Sequence, residues 1–69
     1  MNTALSIKNA PKSFGIFLMD LDVEFRFSYG DFIIENTHAP QKFINYCLRN
    51  GASKEDIDKM EFSVIEING

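Results

Sequence analysis

Residues 15–34, with the sequence GIFLMDLDVEFRFSYGDFII, decide the fold that we expect for this chain. Apolar side chains occupy every second position from Phe17 to Tyr29, and a period of two is typical of β-strands. One strand over residues 15–29 would reach about 50 Å at ~3.3 Å per residue, whereas a chain of this length folds to a radius of gyration of ~11 Å. We therefore expect a bend near residues 20–22, preceded by a central strand over residues 14–19.

A hairpin is predicted at the end of this stretch, where residues 28–31 read SYGD. The glycine supplies the positive φ that tight hairpin turns require. A two-residue loop would place Phe27 opposite Phe32 and Phe25 opposite Ile34. All four side chains would then share one face of the sheet, which supports this register.

Turn and cap residues divide the rest of the chain. Residues 36–40, NTHAP, offer an N-cap followed by a proline and predict a helix that ends at the Asn-Gly pair of residues 50–51. Residues 53–56, SKED, resemble a capping box and open a second, shorter helix. Residues 62–67 form the last predicted strand, and residues 1–12 are expected to be an irregular polar lead-in.

Together these elements predict one α+β domain over residues 1–69. We expect a small antiparallel or mixed sheet of three to four strands with two helices packed on one face, in the order β-β-β-α-α-β. The composition supports a folded chain, since 45% of the residues are hydrophobic. With 69 residues, the chain is too short for a TIM barrel, a dinucleotide-binding fold or a P-loop enzyme.

The chain contains one cysteine, Cys47, and one histidine, His38. A single cysteine excludes an intrachain disulfide, and this pair is too small for a Cys/His zinc site within the chain. We interpret Cys47 as a core thiol and His38 as a residue at the start of a helix. No apolar stretch has the ~18–20 residues of a membrane span. The first one, residues 16–19, is too short for the apolar region of a signal peptide. We expect a cytoplasmic protein with no cofactor, no metal and no catalytic residues.

Acidic residues dominate the charge of the chain, which is −3 at pH 7. This sign argues against general affinity for nucleic acid or for an anionic membrane. The excess is concentrated in residues 20–36, where five carboxylates stand against one arginine. These carboxylates are the candidate partner-binding residues: Asp20, Asp22, Glu24, Asp31 and Glu35.

The first three of these acids, at residues 20, 22 and 24, would lie ~6.6 Å apart on one face of an extended strand. Such a row is suited to docking on a basic surface, to imitating a line of phosphates or to binding a divalent cation. The plainer interpretation is the solvated face of a strand, where charges discourage pairing with other chains.

Residues 43–60 resemble a helix-turn-helix motif. Cys47 is a small residue at the expected helix crossing, Gly51 follows in the turn, and Ile57 and Met60 match the apolar positions of the second helix. That second helix is acidic, however, and carries the wrong sign for contact with phosphates. A small DNA-binding regulator is therefore the alternative function, and direct binding of nucleic acid is not expected.

Aromatic content and an uncovered sheet face indicate an interface. The chain has seven Phe and two Tyr residues, and helices on one side of the sheet would leave Ile16, Leu18 and Ile33 on the other. Cover by loops or by the N-terminal segment is the alternative. An interface there would take a partner chain or a second copy of this chain, as a homodimer.

The function that we expect is that of a non-catalytic protein-binding module. It would be an inhibitor or regulatory blocker that occludes a surface through its acidic hairpin and apolar sheet surface. Its partner would be a protein with a basic surface. A phage-type, viral inhibitor of a nucleic-acid-handling complex is one form of such a module.

Overall fold

The structure, a computed structural model, describes residues 2–37 and 39–67. Within these residues the fold is α+β, with three helices and one four-stranded antiparallel sheet. In chain order the elements are β1 (Asn2–Lys8), α1 (Lys12–Asp20), β2 (Arg26–Ser28), β3 (Asp31–Ile34), α2 (Pro40–Arg49), α3 (Lys54–Lys59) and β4 (Glu61–Ile67). The predicted α+β class is confirmed. The predicted order β-β-β-α-α-β is wrong, because a strand and a helix come first.

Strand β1 lies at the centre of the sheet, whose strand order is β2-β3-β1-β4. In its pairing with β3, Leu5 faces Ile34 and Ile7 faces Phe32. Paired residues project to the same side of a sheet, so these four side chains form one apolar face. Side chains from all three helices and their caps join this face in a single core, among them Phe14, Leu18, Phe43, Cys47, Ile57 and Met60. The helices therefore cover one side of the sheet.

The expected irregular lead-in over residues 1–12 is wrong, since residues 2–8 form the central strand. Leu5 and Ile7 belong to the core, while Ala4 and Ser6 are buried on the opposite face of the strand. Strand β1 is thus buried on both sides, and its small side chains on one side give the segment its polar appearance.

Residues 12–20 form helix α1, where the sequence predicts a strand. Phe14, Gly15 and Leu18 are buried, which is the spacing of one helix face. Gly15 faces the sheet, and a Cβ atom there would lie 3.4 Å from Cε1 of Phe32, which is an ordinary van der Waals distance. The alternation of apolar residues in this segment is therefore incidental.

The predicted hairpin is confirmed, together with its two-residue loop. Phe27 pairs with Phe32, and the centroids of their rings lie 4.4 Å apart. Tyr29 and Gly30 have φ angles of 52° and 83°, and two positive φ angles define a type I′ turn. This turn matches the right-handed twist of the two strands that it joins.

The predicted pairing of Phe25 with Ile34 is wrong, because the β2–β3 ladder ends at Arg26 and Ile33. The Phe25 ring nevertheless packs against the Phe32 ring, with centroids 5.2 Å apart. The aromatic cluster that the register predicts is therefore present on a shorter strand.

Helices α2 and α3 form as the sequence predicts. Ala39 is the N-cap residue of α2 and Pro40 follows it in the first turn, within the predicted stretch of residues 36–40. In α3, the Ser53 hydroxyl accepts a hydrogen bond from the Asp56 N–H at 3.4 Å. This bond satisfies one of the free donors of the first helical turn.

Cys47 is fully buried in the core, as the sequence predicts. Burial raises the pKa of its thiol from 9.0 to about 11, because the thiolate would lose its hydration. At neutral pH the side chain is therefore a protonated thiol that packs as a small apolar group.

Candidate functional site

The carboxylates of Asp20, Asp22 and Glu24 do not form a row on one strand. Asp20 is the last residue of α1, Asp22 and Glu24 lie between α1 and β2, Asp31 begins β3, and Glu35 follows β3. The predicted alternation along a strand is wrong, because the chain changes from a helix to a linker at this point. Two clefts bring some of these acids together, one with Asp22 and Glu24 and the other with Glu24 and Glu35.

The larger cleft, which we call the acidic cleft, has a volume of about 420 Å³. It lies between the linker, the end of β3 and α2, and its lining residues are Asp22, Val23, Glu24, Ile34, Asn36, Thr37, Phe43 and Tyr46. Ile34 and Phe43 are buried members of the core, whereas Asp22 and Glu24 are exposed. An apolar floor with a few polar groups at its border is typical of a ligand site.

Backbone hydrogen bonds hold the acidic cleft's linker at the end of α1. The Asp22 N–H donates to the Met19 carbonyl at 3.1 Å, and the Val23 N–H donates to the Leu18 carbonyl at 3.0 Å. With a φ of 58° at Asp22, these bonds form a Schellman motif, whose left-handed position is usually a glycine. The motif ends the helix and directs Asp22, Val23 and Glu24 along the cleft.

The charge of the acidic cleft is not neutralised by the residues that the structure describes. Within residues 2–37 and 39–67, no lysine or arginine nitrogen lies within 4.0 Å of the Asp22 or Glu24 carboxylate. The ion pairs in these ranges are Arg26–Glu35 at 3.5 Å, Lys54–Asp58 at 3.7 Å and Lys59–Glu55 at 3.9 Å. The cleft therefore presents two carboxylates that are free to bind an external cation.

The smaller cleft, of about 130 Å³, contains both signs of charge. Glu24, Glu35 and Arg26 line it, together with Ile33 from β3. The Nη2 atom of Arg26 lies 3.5 Å from Oε1 of Glu35, and the two side chains are 57% and 50% exposed. Such a pair contributes only ~0–1 kcal/mol to stability, but it reduces the negative charge at Glu35. The acidic cleft is thus the better site for a cationic group.

An exposed apolar surface lies where α1 meets the edge of the sheet. We define this α1–β2 patch by Ile16, Met19 and Phe27, which are 64%, 65% and 64% exposed. A Cβ atom at Gly15 would lie 3.7 Å from Cζ of Phe25, whose ring packs on that of Phe27 with centroids 5.9 Å apart. Ile16 and Met19 are one turn apart on the solvent side of α1. The patch thus combines exposed apolar side chains of a helix and of the edge strand, with Phe25 lying between Gly15 and Phe27.

The predicted apolar patch of Ile16, Leu18 and Ile33 is wrong. Leu18 is fully buried in the core and Ile33 is 5% exposed, so neither is available to a partner. Only Ile16 belongs to an exposed surface, and it lies on α1 rather than on the sheet. The sequence signal for the observed patch is the helical spacing of Ile16 and Met19, which is hidden when the segment is interpreted as a strand.

The predicted helical corner is formed by α2, a turn at Gly51 and α3. Cys47, Ile57 and Met60 are buried, as the helix-turn-helix spacing predicts. However, α3 has six residues, and its ion pairs join lysines and acids of the same short helix. Residues 43–60 carry three basic and three acidic side chains, without the net positive charge that favours contact with DNA phosphates.

Among the described residues, no group of three or more His, Cys, Asp or Glu side chains is placed to hold a metal ion. In the same ranges, no helix combines the length and the apolar character that crossing a membrane requires. The prediction that His38 begins a helix lies outside the described residues.

Comparison of the chain with protein-family models, with curated proteins and with solved structures finds no match. Its function must therefore be inferred from its own residues.

Proposed function

We propose that this chain is a non-catalytic protein-binding module, an inhibitor or regulatory blocker that covers a basic surface of a partner protein. One observation supports this proposal above the others: Ile16 and Met19 of α1 and Phe27 of β2 are large apolar side chains that are each more than half exposed. Exposed apolar surface is unfavourable in water, and its burial by another molecule is favourable. The α1–β2 patch is the part of the molecule best suited to the centre of an interface.

Charge beside the patch favours a basic partner. Asp20 and Asp22 lie within three residues of Met19 at the end of α1, in a segment, residues 20–36, that carries five of the ten carboxylate side chains of the chain. Negative charge around an apolar contact accelerates association with a basic surface and disfavours acidic partners. The apolar area supplies affinity, since its burial contributes roughly 25 cal/mol per Å².

The tip of the hairpin adds a further exposed aromatic side chain. Tyr29 is fully exposed and has a φ of 52°, a conformation that favours asparagine or glycine. It therefore stabilises neither the core nor the turn. Tyrosine is enriched at protein interfaces, so a contact between Tyr29 and the partner is consistent with the proposal.

The experiment is capture of partners from cell lysate on the immobilised chain, with and without nuclease, followed by affinity measurement with the purified partner. Ile16→Gln combined with Met19→Gln should weaken that affinity roughly tenfold or more, because two apolar contacts are lost. Glutamine is chosen because it preserves helix propensity. Leu48→Gln is the matched control, since Leu48 is an exposed apolar residue of α2 outside the patch.

One protein recovered in both arms, with affinity lost in the double variant and kept in the control, would support the module. Recovery that requires intact nucleic acid would favour the alternative function, a small DNA-binding regulator that uses residues 43–60. Equal affinity of the double variant and the unmodified chain would show that the α1–β2 patch is not the interface.

A further inference from the structure

We propose that the acidic cleft binds an arginine side chain. This inference rests on the proposed function in one respect, because the arginine would belong to the basic surface of the partner protein. The ligand chemistry of the cleft is a separate property that small molecules can test without the partner.

The floor of the acidic cleft suits the aliphatic part of such a side chain. Ile34 is 1% exposed and Phe43 is 6% exposed, so they form a rigid base that belongs to the core. Val23 packs against the same core and forms one wall. Three methylene groups can be buried on these side chains while the charged end remains at the border, as long cationic side chains commonly do.

The border of the cleft suits a cation with several hydrogen-bond donors. Asp22 and Glu24 lie two residues apart on the linker, and no cationic group in the described ranges neutralises them. Asn36 and Thr37, whose side chains carry an amide and a hydroxyl, also line the cleft. A guanidinium group has five N–H donors in a planar fork, which can bond carboxylates and neutral acceptors together.

An aromatic wall favours arginine over lysine. Tyr46 lines the cleft next to Phe43, with ring centroids 6.4 Å apart and ring planes 31° apart. A guanidinium group stacks on an aromatic ring and is more weakly hydrated than an ammonium group. The combination of a ring with carboxylates therefore fits arginine better than a point charge.

The backbone at Asp22 supplies an independent reason to assign this residue to a binding site. Helix α2 ends in the same motif as α1, and there the left-handed position is Gly51, with a φ of 101°. At the end of α1 the same position holds Asp22, which is less favourable in that conformation. A carboxylate residue that lines the cleft thus occupies a position where glycine would fold better.

The experiment is an NMR titration of the chain with butylguanidinium and with butylurea, its neutral isostere. Butylguanidinium should shift the resonances of Val23, Ile34 and Tyr46, and butylurea should bind at least fivefold more weakly. Asp22→Asn combined with Glu24→Gln should remove this difference, and asparagine tolerates the left-handed conformation at residue 22. Glu55→Gln combined with Glu61→Gln removes the same number of charges elsewhere and should preserve the difference.

Equal affinity for butylguanidinium and butylurea would overturn the inference, as would shifts confined to residues outside the cleft. Loss of the difference in the Glu55 and Glu61 control would also overturn it, because net charge alone would then explain binding. These outcomes are distinct from failure of the proposed function, which is measured by Ile16 and Met19 variants with the purified partner.

Discussion

Asp22 and Gly51 occupy the same position in two copies of one helix-ending motif. In the first copy, the N–H groups of Asp22 and Val23 donate to the carbonyls of Met19 and Leu18. In the second, the Gly51 N–H donates to the Leu48 carbonyl at 3.3 Å, and the N–H of the next residue donates to the Cys47 carbonyl. The residues differ in conformational cost, since a side chain disfavours positive φ by about 1–2 kcal/mol and Asp by less. Their exchange is therefore a direct measure of that cost.

We expect Asp22→Gly to increase the free energy of unfolding by about 0.5–1 kcal/mol. Gly51→Asp should decrease the free energy of unfolding by a similar amount. Nothing lies within 4 Å of a Cβ atom at Gly51, so the cost comes from placing a side chain at a positive φ. Urea denaturation of both variants measures the effect. A loss of stability in Asp22→Gly would mean that the carboxylate stabilises the fold, which would weaken the case for a binding role.

The buried thiol of Cys47 predicts a loss of stability at alkaline pH. Its pKa is about 11 in the folded state and 9.0 when the thiol is hydrated. Below pH ~9 both states hold the proton, whereas between pH ~9 and ~11 the unfolded state loses it first, so unfolding becomes more favourable. The free energy of unfolding should fall by about 2–3 kcal/mol over this range from Cys47 alone.

Comparison with Cys47→Ala isolates the contribution of the thiol from the rest of the pH dependence of stability. The variant should be less stable at neutral pH, because it loses core contacts, but its stability should fall less steeply above pH ~9. Denaturation curves at pH ~8 and pH ~10.5 measure the two slopes. Parallel slopes would show that Cys47 ionises equally in the folded and unfolded states.

At the scale of elements, the features that sequence predicts well are those with local causes. The hairpin follows from Gly30 and from the facing pair Phe27 and Phe32, all within six residues of one another. Helix α3 follows from Ser53, whose hydroxyl caps a helix that starts at the next residue. Turns and helix caps depend on interactions within three to four residues, so the local sequence predicts them without knowledge of the rest of the fold.

The features that sequence misses depend on contacts between distant residues. Strand β1 lies between β3 and β4, so Ala4 and Ser6 are buried by neighbours that come later in the chain. Helix α1 contains Gly15, a poor helix residue whose burial beside Phe32 depends on the tertiary fold. Phe14 and Leu18, four positions apart, carry the helical signal, but the longer alternation through Tyr29 obscures it.

For the same reason, only part of the candidate site can be predicted from the sequence. The acidic segment identifies Asp22 and Glu24 by their charge, but the cleft is completed by Ile34, Phe43 and Tyr46, which belong to other elements. Their apolar and aromatic character indicates a core, and only the fold shows that they border the two carboxylates. The charge of a segment follows from its own sequence, whereas the presence of a cleft depends on the tertiary structure.

At the scale of the whole molecule, the sheet has two free edges of unequal length. The strand order leaves β2 at one edge and β4 at the other, with three and seven residues. A long edge strand exposes unpaired backbone groups and can recruit another chain. Val64, 46% exposed at the middle of β4, makes this edge apolar as well. The two charged residues of β4, Glu61 and Glu66, are then the features that oppose self-association.

We expect the chain to be monomeric and to dimerise when both glutamates are removed by Glu61→Thr and Glu66→Thr. In antiparallel pairing of two β4 strands about Val64, Glu61 and Glu66 would lie opposite apolar residues at Ile67 and Phe62, and each would lose hydration without gaining a partner. Threonine removes that cost and favours strands. Sedimentation velocity across a concentration series should show a dimer for the double variant only.

Replacement of Glu55 and Asp58 on α3 by their amides removes two charges away from the edge and should leave a monomer. A monomeric double variant would show that the edge is blocked by something other than charge, and a dimer of the unmodified chain would make self-pairing, rather than a basic partner, the first interface to examine.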